Sequence, residues 1–392
     1  MRRIVVGIPT LDEADTIAHV VRSADEGLKL VDKRCGPIQA KIVNSDSLSQ
    51  DGTARIFSGQ RTSFPKQQVS TSGSPGKGKN VRKLLDIAAE FEADCLLLLD
   101  GDLYSIRPEW LPALILPILH DGVDFVLPRY LRNRFEGGIT NHLCVPLVYS
   151  VFGRYVRQPI AGDFGLSRRF IDLVRHAAWP PAADYYGVDI TLTITALAAS
   201  YRWAEARLDE KVHRPVIVPK FCWTFTQVCE AALWMLRGAT IAPRAETIAS
   251  AGVSFNDKVA FPFDETTAIL LDMADKSFRD WSATHEIRRY GMGHAVKLMV
   301  EKARNGVALE GDAYSELWRE ALIAAVRAAI AGSNEAQPMA SLLLPAFLIK
   351  MCSFWAKVRA WPPQEIEAQV VSLAEQVRRS MAADLMTARS AG

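Results

Sequence analysis

In the first half of the chain, apolar residues fall in short unbroken runs separated by longer stretches with helical spacing. Residues 4–8, 41–43, 67–70, 95–99 and 124–127 read as strands. Residues 13–30, 80–91 and 108–119 read as helices, with Val81, Leu84, Leu85 and Ala88 on one face of the second. This βαβα order predicts an α/β fold, Rossmann-like, with a mostly parallel sheet and helices on both faces. From about residue 221 strand signals nearly vanish. Helical patterns then cover 224–236, 293–303, 314–331, 341–358 and 364–385. Pro215 and Pro219 mark the break. Two domains are expected, an α/β domain over 1–217 and an all-helical one over 218–392.

The run at 95–103, CLLLLDGDL, adds chemistry to this pattern. A run without polar alternation suits a strand buried on both faces. It ends in Asp100-Gly101-Asp102, which puts two carboxylates at the strand's C-terminal edge, where ligands bind in open α/β sheets. Carboxylates so close repel one another unless a cation lies between them, and hard divalent cations prefer oxygen. Asp100 and Asp102 are therefore metal candidates, although a solvated turn or a helix cap ahead of Pro108 would read the same way.

Other loops follow strand ends. PTLDE at 9–13 is suited either to holding a nucleoside through Asp12 or Glu13 or to capping the next helix. NSDS at 44–47 reads as a base or ribose contact or as a plain turn. SPGKGK at 74–79 is a flexible basic loop before a helix, a setting that favours anions, but it lacks the Walker A spacing. RQPIAGDFG at 157–165 holds a Gly–acid pair in an apolar stretch. YYGVD at 185–189 ends in Asp189, either a substrate contact or a first-turn acid. KVHRP at 211–215 carries His213 in a strand-to-loop passage. Arg129, Arg132 and Arg134 precede Gly137, Gly138 and Thr140. Arginine forks match carboxylate and phosphate, but a charge run is commonly a solvated loop.

Composition narrows the classes. Lys plus Arg number 46 against 44 Asp plus Glu, which argues against a general nucleic-acid binder. The six cysteines are scattered without a CxxC, as expected of reduced thiols in a cytoplasmic protein. The N-terminal apolar stretch is too short for a signal peptide. The apolar segment 339–358 is broken by Pro345, Lys350 and Lys357, and so reads as a core helix rather than a membrane span.

Taken in order, IPTLDE, NSDS, PGKGKN, LLLLDGD, GGITN, RQPIAGDFG, YYGVD and VHRP resemble the retaining GT-A glycosyltransferases that make mannosylglycerate, glucosylglycerate and glucosyl-3-phosphoglycerate. The resemblance spans roughly 1–217 and implies a GT-A fold. It implies that Pro9, Leu11, Glu13 and Ser45 line the nucleoside pocket and that Lys77 meets the donor diphosphate. Asp100, Asp102 and His213 would hold Mg²⁺ or Mn²⁺. Gln158 and Asp163 would sit at the donor sugar and Asp189 near the reacting centre, while Arg134, Gly138 and Thr140 would meet the acceptor. Where the family has Gly-Gly-Glu, this chain has Ala161-Gly162-Asp163, one methylene shorter.

The activity implied is metal-dependent transfer of a hexose from a sugar nucleotide (UDP- or GDP-linked) to a small anionic acceptor, D-glycerate or 3-phosphoglycerate, with retention. An inverting family 2 enzyme would need a carboxylate base, for which Asp163 or Asp189 is available, but the Gln-x-x-Arg-Trp motif is absent. A nucleotidyltransferase would carry a Gly-rich loop after the first strand, where PTLDE stands instead. A non-catalytic sugar-nucleotide sensor would bind without turnover. Whether the chain forms a homo-oligomer stays open at this stage.

Overall fold

The structure is a computed structural model that describes residues 1–213, 218–248, 255–256 and 262–390. The chain divides into two compact units, Met1–Leu131 with Gln158–Pro215, and Arg132–Arg157 with Val216–Gly392.

The first unit opens with β1 (Arg2–Thr10), α1 (Ile17–Cys35), β2 (Ile38–Asp46), α2 (Thr53–Gly59), β3 (Lys66–Ser70), α3 (Lys77–Glu90), β4 (Cys95–Leu98), α4 (Trp110–Asp121) and β5 (Phe125–Asn133). After α5 (Val145–Phe152), which belongs to the second unit, it resumes with β6 (Gly165–Ser167), α6 (Arg168–His176), α7 (Val188–Ala198) and β7 (Trp203–Glu210). The strand order is β3-β2-β1-β4-β6-β5-β7. β1 to β4 pair in parallel, β6 runs antiparallel to both β4 and β5, and β5 is parallel to β7.

The leucine run does form a central strand, wholly buried between β1 and β6. The outer strands β3 and β7 are half-exposed and charged or amide-rich, which blunts the sheet edges. That polarity is also why β7 gave no clear strand pattern, although a strand was expected to lead into 211–215, and three-residue β6 is too short to give one.

The second unit contains α5, α8 (Val218–Met235), β8 (Phe255–Asn256), α9 (Phe263–Thr284), α10 (Gly293–Arg304), α11 (Ala313–Ile330), α12 (Ala336–Val358) and α13 (Pro363–Ser390). β8 pairs in parallel with Arg132 and Asn133. α9 was not anticipated. Its buried stripe, Thr267, Leu270, Ala274, Phe278 and Trp281, mixes small and polar residues and so blurs the periodicity. α12 alone among the described residues is long and apolar enough to cross a membrane, and 83% of its most apolar window is buried inside the protein. An all-apolar helix is stable in water only when surrounded in this way.

The expected single boundary near residue 217 misses one segment. Arg214, Pro215 and Val216 lie outside the described residues, and Arg132–Arg157 groups with the helices. Hydrogen bonds explain the grouping. Trp355 Nε1 donates to Phe135 O at 3.0 Å, Trp318 Nε1 to His142 O at 2.9 Å, and Arg378 Nη1 to Ser150 O at 2.7 Å. Arg157 is buried against Glu367, with Nε 2.8 Å from its carboxylate. Such a pair is costly to break because removing one partner strands the other charge. None of the six cysteines forms a disulfide, and five are buried.

Lys350 on α12 is buried, and its Nζ lies 2.9 Å from Ser315 Oγ. Burial, reinforced by Lys357 and opposed by Asp312, lowers its pKa from 10.5 to about 7. Between those two values the unfolded chain binds the proton and the folded chain does not, so stability rises with pH across that window. Lys350→Met removes this linkage. Thermal melts should show a flatter pH dependence from about pH 7 to 10 and a gain on the order of 2–3 kcal/mol near pH 8. A slope unchanged from wild type would show that Lys350 stays charged in the fold.

Candidate functional site

Parallel pairing carries the C-terminal ends of β1, β2 and β4 to one edge of the sheet. In the β1–β2 register Pro9 faces Ser45 and Thr10 faces Asp46. Buried polar side chains lock these ends together: Thr10 Oγ1 donates to Asp46 Oδ1 at 2.8 Å, Asn44 Nδ2 to Ile8 O at 3.0 Å, and Ser45 Oγ to Asn80 Oδ1 at 3.2 Å. Ser45 is thus spent on the first turns of α3. Leu11 projects outward, 42% exposed. The Glu13 N–H donates to Thr53 Oγ1 at 2.8 Å, which fixes the loop after β1.

The start of α3 abuts residues 183–185. A Cβ on Gly78 would lie 1.7 Å from Ala183 O, so only glycine permits the approach, and the Gly78 N–H donates to Tyr185 O at 3.1 Å. The approach sets Lys77 beside Asp189 in the first turn of α7. Lys77 Nζ lies 2.8 Å from Asp100 Oδ1 and 2.9 Å from Asp189 Oδ2. The cation expected on a flexible loop is therefore pinned between two carboxylates.

The second oxygen of Asp100 is taken by Lys211, whose Nζ lies 2.9 Å from Asp100 Oδ2, 2.8 Å from Asp163 Oδ2 and 2.6 Å from Ala161 O. Asp163 Oδ1 accepts the Asp100 N–H at 2.8 Å, and the Tyr130 hydroxyl donates to Oδ2. Asp163 is 0% exposed, so in this structure it is enclosed by protein rather than open to a sugar. Gln158 is buried beside it, with Nε2 donating to Tyr130 O at 3.0 Å. Gly162 makes this packing possible, because its φ is +88° and a Cβ there would lie 2.2 Å from Asp100 Oδ2.

The charges set one another. Burial opposes the charge of Lys77, but Asp100 and Asp189 hold its pKa well above the ordinary lysine value. Burial likewise works against Asp100, yet Lys211 and Lys77 hold its carboxyl below the usual range. Asp163 and Asp189 are pushed up by burial, against the pull of Lys211 and Lys77 respectively.

Asp102 and His213 come from neighbouring segments. Leu103 pairs with His213 in an antiparallel bridge, and the Tyr104 N–H donates to Val212 O at 2.9 Å. His213 thus stands opposite the residue that follows Asp102. Among the described residues no group of three or more His, Cys, Asp or Glu side chains is gathered closely enough to hold a metal ion. The expected set is of the right chemical kind, two carboxylates and one imidazole on adjoining segments, but both Asp100 oxygens face lysine ammonium groups here.

Arg134, Gly138 and Thr140 lie in the second unit. Arg134 Nη1 donates to Val358 O at 2.7 Å and Trp361 O at 2.9 Å, tying down the end of α12. Thr140 opens a buried π-helical turn, and Gly138 packs where a Cβ would meet Met351 Sδ at 2.5 Å. Sequence reasoning missed Lys211 and Asn80, and it singled out Gly162 only as half of a Gly–acid pair. Lys211 had one faint signal, its place two residues before His213.

No family model matches the chain. A curated relative, the glucosyl-3-phosphoglycerate synthase of Mycolicibacterium paratuberculosis (strain ATCC BAA-968 / K-10), is 29% identical over 210 residues, 49% of this chain and 59% of that protein. The chain thus spans less than two thirds of that relative's length. A solved glucosyl-3-phosphoglycerate synthase from Mycobacterium tuberculosis, in complex with Mn²⁺, uridine diphosphate and phosphoglyceric acid, is 26% identical. It superposes with a TM-score of 0.50 over 60% of this chain and 78% of that one. The chain resembles these synthases and has their GT-A-type α/β fold, with a helical C-terminal region.

Gly162→Ala should be destabilising beyond the roughly 1–3 kcal/mol of a left-handed non-glycine residue, because the new methyl strikes Asp100 as well. Gly73→Ala is the control. It has φ +82° and no atom within 4 Å of a Cβ, so only the conformational cost applies. Equal melting losses for the two variants would show that Asp100 moves aside freely.

Proposed function

We propose that this chain is a glycosyltransferase that moves glucose from a uridine-diphosphate donor to 3-phosphoglycerate, with D-glycerate as the alternative acceptor and with retention at the transferred carbon. The observation that carries the reading is the cluster at the strand edge, where Asp100 and Asp189 hold Lys77 beside the Asp-Gly-Asp turn. The likeness to glucosyl-3-phosphoglycerate synthases supports the choice of donor and acceptor. Six cysteines with no disulfide among them support a reducing, cytoplasmic setting.

In this reading Pro9, Leu11, Glu13 and Ser45 frame the nucleoside at the ends of β1 and β2. Lys77 exchanges one carboxylate for the donor diphosphate and steadies the departing charge. Asp100, Asp102 and His213 would hold Mg²⁺ or Mn²⁺, which when bound supplies Lewis-acid stabilisation of the diphosphate. The acceptor hydroxyl attacks from the face that the diphosphate leaves, and the leaving oxygen takes its proton, so no protein base is required. Two facts weigh against an inverting mechanism: Asp163 is wholly enclosed, and Asp189 is paired with Lys77. Gln158 and Asp189 flank the sugar. Gly138, Thr140 and Arg134 serve the acceptor.

The reading is tested by incubating the chain with sugar nucleotides, 3-phosphoglycerate or D-glycerate, and Mn²⁺, and weighing the products. Transfer from UDP-glucose that stops on chelation is expected. Full turnover in excess chelator would remove the metal from the scheme, and no product from any pair would remove the reading. Asp102→Ala should abolish most turnover with the melting temperature kept. His213→Ala should raise the metal concentration needed for half-maximal rate.

Lys77→Ala should weaken UDP-glucose binding by ~1.5–3 kcal/mol, the worth of a charge-assisted hydrogen bond. Calorimetry showing equal affinity would return Lys77 to a purely structural ion pair. Thr140→Val should raise the acceptor KM while leaving donor hydrolysis intact. Unchanged acceptor kinetics would place the anion elsewhere.

A further inference from the structure

We infer that Lys211 is a positioning residue: with Asp163 as its buried counter-charge, it fixes the carboxylate of Asp100 at the donor end of the site. The inference rests on the reading above and deepens it, since nothing in the sequence motifs gives Lys211 or Asp163 this task. Three observations converge on it. Lys211 is almost wholly buried, yet its Nζ meets three oxygens, those of Asp100, Asp163 and Ala161. Asp163 grips Asp100 a second time, accepting the Asp100 backbone N–H at 2.8 Å while Tyr130 holds its other oxygen. Gly162 removes the one side chain that would keep Asp100 away.

The backbone is shaped for the same end. The β5–β7 register shifts between Arg129 and Leu131, and immediately beyond β7 the Lys211 N–H donates to Leu131 O at 3.1 Å. A register irregularity of this kind re-aims the following side chain. Here it is followed by a lysine turned into the protein in the otherwise polar stretch LDEKVH.

Asp100 thus has two ammonium partners of different kinds. Lys77 comes from a glycine-flanked helix start and reaches Asp189 as well, so one of its contacts is exchangeable. Besides Asp100, Lys211 meets the Asp163 carboxylate, at 0% exposure, and the Ala161 carbonyl, so both of these contacts lie inside the protein. It therefore keeps Asp100 in place when Lys77 turns to a ligand. Asp163, read from the motif as a sugar contact, acts here through Lys211 and Asp100 and is not a catalytic residue.

The test compares Lys211→Met, Lys211→Arg, Asp163→Asn and the Lys211→Met/Asp163→Asn double variant, in the full chain. The readouts are melting temperature, affinity for UDP in the presence of Mn²⁺ by calorimetry, and the kcat and acceptor KM of glucose transfer. Loss of a residue that orients a site carboxylate is expected to lower UDP–Mn²⁺ affinity and kcat by roughly 10–100-fold, with acceptor KM unchanged. Lys211→Arg should recover part of the loss, and the double variant should lose little more than either single one, because the pair acts as a unit.

Wild-type UDP affinity and kcat in a folded Lys211→Met protein would overturn the inference and leave the proposed function standing. If Lys211→Met does not fold, Asp163→Asn decides, and wild-type affinity in that variant overturns the inference equally. Additive losses in the double variant, or no rescue by arginine combined with a fall in kcat proportional to the melting temperature, would mean a merely structural pair. Failure of the wild-type chain to bind UDP with Mn²⁺ would overturn the functional reading and this inference together.

Discussion

The first unit depends on one carboxylate caught between two ammonium groups. Asp100 accepts from Lys77 on one oxygen and Lys211 on the other, and each lysine reaches a further acid, Asp189 or Asp163. The result is a chain of alternating charge running from the start of α7, across the start of α3 and the end of β4, to the turn before β6. Buried charges are tolerated only when their partners are well placed. The close approaches at Gly78 and Gly162 are conditions for that placement, because a side chain at either would push one link out of reach. The sheet edge positions the chain of charges, and the chain of charges in turn fastens three loops to the edge.

Much of this frame was legible from residue order. A run of leucines without polar alternation reads as a strand buried on both faces, and β4 is that strand. Lys77 and Asp189 were each readable as singletons, but the contact between them joins positions 112 apart and leaves no local trace. Lys211 was illegible for a related reason. In LDEKVH it sits among charges, and a lysine there reads as solvated. Yet just past the register shift against β5 it is buried. Asn80 was hidden inside an amphipathic helix, where a polar residue next to a basic loop looks like surface, although it is buried and bonded to Ser45 and Ser47.

The placement of Arg132–Arg157 taught a different lesson. Its sequence continues directly from β5, and its arginines look like an anion-binding run. What decides its allegiance is backbone carbonyls in need of donors. Arg134 answers those of Val358 and Trp361, and Trp355 and Trp318 answer those of Phe135 and His142. Tryptophan N–H groups buried in helices seek such carbonyls, and the helical unit supplies them from α11 and α12. A domain boundary drawn from secondary-structure type alone has no access to that demand. For the same reason an arginine count alone does not locate an anion, since Arg134 also holds two carbonyls and Arg157 is matched by Glu367.

The charge balance of the cluster bears on the proposed chemistry. Asp100, Asp163 and Asp189 against Lys77 and Lys211 leave one negative charge in excess when all are ionised, and Asp102 stands close by in sequence. A diphosphate brought to such an edge would be repelled. Lys77 alone cannot reverse the sign, because turning it toward the ligand strips Asp189 of its partner. Two responses are open to the site: Asp189, whose pKa burial already pushes up, takes a proton, or a divalent cation accompanies the ligand to the carboxylates. The first weakens binding as pH rises, while the second makes binding depend on the metal concentration. In the proposed chemistry the resident lysines hold the acids in place and near neutrality before the ligand arrives, and in the second response the cation and the diphosphate would be favourable as a pair.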